Sequence, residues 1–293
     1  MNRVSPTVLA LLLTLTLMWG TNWPLFRIAL DELRPWTFRT CTMAIGAVVL
    51  AAIVRARGES FAVPKGRWPA LFAAATTNLA IWSVATSLAV LYIPSGHASV
   101  LAYTMPLWVA LLGFVLFGQR LSGRLLAAIA IGAVAVAALM LPNFASYARA
   151  PLGLMWGLAA GFSWAVGTFI VKRTRWPGMG LSLTFWQVVL SMPTMIAGAC
   201  LLEPWPAWPS TGVVLITLYI GAVPMALGMA IWFALVKLLP AQVAGLSSIA
   251  VPIVAIVSGM IILHEPLSPL QAVAIASSVI SLWLALVPAR RAG

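Results

Sequence analysis

The sequence predicts an all-α integral membrane protein in which ten spans form two five-helix repeats of opposite orientation, and three observations carry that expectation. The first is composition. With 62% hydrophobic and only 8% charged residues and a mean hydropathy of +1.05, the chain lies far from the roughly 25% charged content of soluble domains. A bilayer core of about 30 Å asks for about 20 apolar residues per helix, and charge-free runs of that order recur along the chain. The second is an internal repeat. Pro94, Tyr103, Met105, Pro106, Leu107, Gly113, Leu121 and Ser122 each have a counterpart 146 residues later, in Pro240, Ile249, Val251, Pro252, Ile253, Gly259, Leu267 and Ser268. Trp19, Gly20 and Arg27 align with Trp164, Ala165 and Lys172 at an offset of 145. A repeat of this kind sets architecture ahead of local detail, and it divides the chain near Arg149 to Leu152, into 1–148 and 149–293. The third is the placement of charge, which follows from the spans.

The first span covers about Thr7 to Ile28. Met1 to Arg3 imitate the start of a signal peptide, but the charge-free run continues from Val4 to Phe26 without a small-residue cleavage site, so it reads as a retained helix. The second span covers about Pro35 to Val54. A basic loop (Arg55, Arg57, Lys65, Arg67) leads into the run from Trp68 to Gln119, too long for one helix. Ile93, Pro94, Ser95 and Gly96 divide it into the third and fourth spans. The fifth runs from about Ser122 to Leu141, and the polar, proline-flanked stretch Pro142 to Pro151 links the halves. The sixth covers about Leu152 to Val171 and the seventh Leu181 to Leu202. Proline and tryptophan fill Glu203 to Pro209, where aromatic rings suit the membrane interface. The eighth, ninth and tenth cover Thr211 to Val236, Ala241 to Leu263 and Pro269 to Leu286.

With a cytoplasmic N-terminus, 13 of the 17 basic residues fall on the inner side: Arg3, Arg55, Arg57, Lys65, Arg67, Arg120, Arg124, Lys172, Arg173, Arg175, Lys237, Arg290 and Arg291. The outer side keeps Arg27, Arg34, Arg39 and Arg149 together with Asp31, Glu32, Glu203 and Glu265. This bias places both termini in the cytoplasm and the protein in the inner membrane. Each repeat has an odd number of helices, so the second enters from the opposite face. The net charge of +12 does not argue for nucleic acid, because the basic residues are spread over short connections and form no patch with interleaved aromatics. Cys41 and Cys200 lie inside spans and read as small buried residues without a disulfide.

Trp19, Gly20, Thr21 and Asn22 in the first span, Arg39 early in the second, and the duplicated proline-centred span with its turn (Gln119 or Glu265, then Leu and Ser) resemble the EamA group of the drug/metabolite transporter superfamily. The likeness covers nearly the whole chain. The second turn carries the group's usual glutamate as Glu265, and the first departs with Gln119. Within the group, general similarity and abundant interior tryptophan make the chain look most like the YddG-type exporters of aromatic amino acids. The resemblance implies a basket of helices around a central cavity, with the fifth and tenth spans outside it.

Candidate substrate contacts follow from helical spacing. Trp19, Asn22, Trp23 and Phe26 fall at i, i+3, i+4 and i+7 and share one face; Trp164, Gly167, Thr168 and Val171 correspond to them in the sixth span. Facing each other across a pseudo-two-fold axis, the two sets would form an aromatic pocket with a few polar groups, suited to a flat apolar ligand. Tryptophans near helix ends also serve as interface anchors. Asn78 and Trp82 are one turn apart in the third span, Tyr103 lies a turn from Ser99 in the fourth, Trp232 sits in the eighth, and Gln242 and Ser248 in the ninth. Polar groups at such depth face other helices or a cavity. Pro24, Pro106, Pro224 and Pro252 can free carbonyls and let helices bend, which makes them gating candidates. Gly153, Gly157 and Gly161 form a small-residue ridge expected to pack the sixth helix within a monomer. Arg39, the most embedded charge, is expected to snorkel or to pair with Asp31 or Glu32, in preference to binding a substrate carboxylate.

No acid lies deep in a span. Proton-driven antiporters place an ionisable group near the midplane, so facilitated, downhill movement of a small-molecule substrate is expected. His97 and His264 lie toward the outer side and read as interfacial. Ser95, His97 and Ser99 are close in sequence, but nothing else marks a base and oxyanion site, so an intramembrane hydrolase is set aside. Metal-binding and phosphate-cradling patterns are absent from the sequence, and no cofactor is expected. A transporter of amino acids, aromatic or hydrophobic ones first, is the favoured reading; efflux of lipophilic cations or other small drugs and metabolites, with or without proton coupling, is the alternative.

Overall fold

The computed structural model describes residues 6–118, 123–140, 151–205, 207–238, 251–264 and 269–286, and all regular structure among them is helical. In chain order the helices are α1 (Pro6–Glu32), α2 (Pro35–Ala56), α3 (Trp68–Tyr92), α4 (Ser95–Ala102), α5 (Met105–Phe117), α6 (Gly123–Met140), α7 (Pro151–Arg173), α8 (Leu181–Leu202), α9 (211–238), α10 (Val251–Leu263) and α11 (Pro269–Leu286). Among the described residues, seven stretches are long and apolar enough to cross a membrane: α1, α2, α3, Ser95–Leu116, α7, α8 and Thr211–Trp232. The protein is a multi-pass membrane protein. Helices α6, α10 and α11 lie within the remaining three expected spans.

Proline chemistry sets the boundaries. Arg34 and Ile93 are extended, at ψ 152° and 156°, because each precedes a proline whose ring excludes the helical region. The fourth span, expected to run unbroken, is interrupted at Tyr103 and Thr104. Pro106 has no N–H and would collide with the carbonyl four residues back, which is Ala102, the last residue of α4. Pro106 and Pro252 therefore sit in the first turns of α5 and α10, where a missing N–H is harmless. Only Pro24 and Pro224, of the four gating candidates, occupy helix interiors.

The repeat is visible in the helix bounds. Shifting α2 by 146 residues reproduces both ends of α8, and shifting the end of α5 by 146 reproduces the end of α10. Two π-helical segments, Thr76–Ile81 in α3 and Gly221–Leu227 in α9, begin 145 residues apart. Neighbours follow the same rule: α2 packs on α8 and α6 on α11, while α1 against α9 and α10 is matched by α7 against α3, α4 and α5. The glycine ridge of α7 makes the last of these contacts. Gly153 faces Tyr92 and Ile93, Gly157 faces Leu101, and Gly161 lies against the Thr104 hydroxyl and the Ala102 and Leu101 carbonyls at the break.

Acidic side chains close helix starts between the halves. Glu203, after α8, accepts from the Trp36 and Thr37 backbone amides and the Thr37 hydroxyl, all at 2.8 Å. Glu59, after α2, accepts from the Leu181 amide at 2.7 Å. Glu32 accepts from the amide and hydroxyl of Ser210, the N-cap of α9, at 2.6 and 2.7 Å. Each carboxylate satisfies amides that a helix start leaves unpaired and lies at the positive end of the helix dipole.

The cysteines are free, Cys41 half-buried and Cys200 exposed. The expected burial of Cys200 fails because it stands in the last turn of α8, bordering a groove with Thr37, Cys41, Glu203 and Trp205. His97 is buried, not interfacial, with its Nε2 2.7 Å from Gln271 Nε2.

Candidate substrate site

A cavity opens between α1, α2, α3, α7, α9 and the break that separates α4 from α5. It is lined by Trp19, Asn22, Trp23, Phe26, Arg39, Thr42, Leu79, Trp82, Ser83, Tyr103, Met105, Trp164, Ile220, Pro224, Met225 and Met229. Its volume is about 90 Å³. A second cavity, of about 150 Å³ by the same measure, is lined by Asn78, Leu79, Trp164, Thr168, Val171, Lys172, Thr184, Gln187, Met229 and Trp232. Leu79, Trp164 and Met229 belong to both and form the wall between them.

The aromatic residues interlock edge to face. Trp82 meets Trp164 at 4.7 Å and 62°, and meets Tyr103 at 6.3 Å and 87°. Trp23 reaches Tyr103 at 6.3 Å and Phe26 at 5.8 Å. Trp19 stacks obliquely on Trp232 at 5.7 Å, and its indole N–H donates to the Pro224 carbonyl at 3.1 Å. The T-shaped contacts of Tyr103 with Trp23 and Trp82, and of Trp82 with Trp164, match the ring quadrupole's preference and hold the walls in defined positions. The π turns place their residues on the same walls, Leu79 from α3 and Pro224 with Met225 from α9.

Of the residues predicted from spacing, Trp19, Asn22, Trp23, Trp82, Tyr103 and Trp164 line the first cavity, and Asn78, Thr168, Trp232 and again Trp164 line the second. Gln242 and Ser248 lie outside the described residues, as do the turn residues Gln119 and Glu265. Asn78 Nδ2 donates to Gln187 Oε1 at 3.0 Å, a bond between α3 and α8. The Asn78 side chain fits over Gly167 of α7, where any Cβ would strike it. The Thr168 hydroxyl turns back to the Trp164 carbonyl at 2.9 Å.

Sequence reasoning missed Gln187, Thr184, Met225 and Met229. The depth rule that picked out Asn78 applies equally to Gln187. The methionines carry no such signal. Arg39 departs from its expected pairing. It is 4% exposed, its Nε donates to the Ser83 carbonyl (3.0 Å) and Ser87 hydroxyl (2.7 Å), and Nη2 donates to the Thr86 hydroxyl (2.8 Å). Its guanidinium carbon lies 4.2 Å from the Phe26 ring centre. Asp31 pairs instead with Arg27 at 3.3 Å.

The model of the EamA-like transporter family matches the chain twice, over residues 6–141 and 151–287. An uncharacterised transporter of Bacillus subtilis, YvbV, is 26% identical over 275 residues, covering 92% of this chain and 88% of the relative. A probable amino-acid metabolite efflux pump of Escherichia coli is 26% identical over 90% of this chain and 89% of its own. A probable terminal-alkyne amino-acid exporter of Streptantibioticus cattleyicolor is 26% identical over 92% and 90% respectively. One solved crystal structure superposes with a TM-score of 0.70 at 20% identity, over 96% of this chain and 97% of that one, a likeness of fold.

Proposed function

Because the chain belongs to the EamA-like transporter family, we propose that it exports amino acids, aromatic or hydrophobic ones first, by alternating access and without obligatory proton exchange. The observation that carries this reading is the pair of cavities parted by Trp164. Six aromatic side chains surround the first, and Leu79, Trp164 and Met229 separate it from the second, so one rearranging wall would expose a bound molecule to either side. Repeated helix bounds support two five-helix halves, and the paired family matches agree with that division. In this reading the halves are inverted, the protein is a monomer in the inner membrane, and both termini are cytoplasmic. The Escherichia coli and Streptantibioticus relatives, a probable amino-acid metabolite efflux pump and a probable terminal-alkyne amino-acid exporter, support an amino-acid cargo.

Among the described residues neither cavity is lined by a carboxylate, which is the ground for facilitated transport. Lipophilic cations would suit aromatic walls, but Arg39 places positive charge on the first cavity and opposes them. The test is counterflow in liposomes holding the purified protein, with labelled tryptophan, phenylalanine and a lipophilic cation, with and without a pH gradient. Amino-acid exchange indifferent to the gradient is expected. Cation movement alone would replace the cargo assignment, and a strict requirement for the gradient would end the facilitated mechanism.

A further inference from the structure

Arg39 is the only arginine, lysine, aspartate or glutamate that is buried among the described residues. Its three acceptors are all neutral. The acids that sequence distance offered it are engaged elsewhere: Asp31 with Arg27, Glu32 with Ser210, Glu203 with the start of α2. A guanidinium carries five N–H donors in a planar fork, and Nη1 has no protein acceptor among the described residues. Enclosing a charge with only dipoles and an aromatic face around it is unfavourable unless a counter-ion arrives. Arginine's fork matches a carboxylate through two parallel hydrogen bonds.

A complementary group stands nearby on the same cavity. Asn22 Oδ1 is enclosed and has no hydrogen-bond partner. Asn22 precedes Phe26 by one helical turn, about 6 Å along the axis at about 1.5 Å per residue, and Phe26 is the ring that Arg39 covers. An orphaned amide oxygen and an incompletely satisfied guanidinium on one cavity present an acceptor and a cation to the two ends of a zwitterion.

Resting on the amino-acid reading above, we infer that Arg39 and Asn22 form the subsite for the α-carboxylate and α-ammonium groups of the transported amino acid. The carboxylate takes the free edge of the guanidinium, and the ammonium donates to Asn22 Oδ1. The side chain then extends toward Trp82, Tyr103 and Trp164. Selection for the backbone of the cargo and selection for its side chain thus reside on different walls.

The test begins with the unaltered protein in liposomes, taking labelled tryptophan counterflow against unlabelled competitors. Tryptophan methyl ester lacks the carboxylate and indole-3-propionate lacks the ammonium; each is expected to compete at least tenfold more weakly than tryptophan. R39K keeps a charge but loses the fork, and it is expected to raise the half-saturating tryptophan concentration at least tenfold. N22A is expected to weaken discrimination against indole-3-propionate while leaving discrimination against the ester. Equal competition by tryptophan and its methyl ester would overturn the subsite while leaving an amino-acid exporter in place. Failure to move any α-amino acid, with intact protein moving another solute, would overturn the exporter reading itself.

Discussion

Trp164 is the residue on which the two cavities depend, because it borders both and packs its ring 4.7 Å from Trp82. Truncating it removes one aromatic pair, worth about 0.5–1.5 kcal/mol beyond area burial, and opens the wall. Trp164→Ala is therefore expected to raise the half-saturating concentration of an aromatic substrate about tenfold in counterflow, with Trp164→Phe closer to the unaltered protein; an unchanged value in the alanine variant would remove Trp164 from the site. The aromatic side of this site was legible from spacing alone, since Trp19, Asn22, Trp23 and Phe26 had to share a helical face. Arg39 was not. Sequence shows how near it lies to the end of its span, which favours snorkelling, whereas its real partners Ser83, Thr86 and Ser87 come from α3, more than forty residues on. Methionines 225 and 229 were illegible because an apolar side chain in an apolar span gives no contrast.

Helix ends and breaks carry the next level of specification. Glu203 binds the α2 start through three hydrogen bonds of 2.8 Å, and loss of such a cap costs about 1–2 kcal/mol. Glu203→Ala is expected to lower the melting temperature of the purified protein by several degrees, and Glu59→Ala to act likewise at the start of α8. Glycines of α7 act at the same level. A new Cβ at Gly157 would lie 2.7 Å from the Leu101 Cβ, and one at Gly161 would lie 2.8 Å from the Thr104 hydroxyl and 3.0 Å from the Ala102 carbonyl, so the helices themselves must shift in both cases. Gly157→Ala and Gly161→Ala are therefore both expected to reduce folded yield, as judged by size-exclusion chromatography; unchanged yields would mean that α7 does not depend on these close approaches. Proline marked nearly every one of these boundaries in advance. It did not announce the break at Tyr103 and Thr104, because a proline in the sequence reads equally as an interior kink or as the first turn of a new helix, and only the end of α4 at Ala102 decides between them.

At the scale of the whole molecule, the repeat explains why the cavity exists where it does. Helices α1 and α7 occupy matching places, α1 against α10 and α7 against its counterpart α5, and each against a span with a π turn. The two cavities gather residues from both halves around this junction. Which helices meet was not legible, since a ten-span pattern is compatible with many pairings, and hydropathy records burial in lipid and burial in protein alike. The inverted arrangement makes a claim about sides of the membrane that charge bias alone suggests. In a cysteine-free background, Trp205→Cys places a thiol in the fully exposed segment after α8, and Arg175→Cys places one in the exposed loop after α7. A membrane-impermeant maleimide added to intact cells is expected to label the first and to reach the second only after permeabilisation. The opposite pattern would turn the molecule over, so that the cavity nearer Arg39 faced the cytoplasm and the exporter assignment lost its direction. Labelling of both from one side would mean that α8 does not cross the membrane, which would break the odd-numbered count of spans in the second half and with it the inversion on which two-sided access to Trp164 rests.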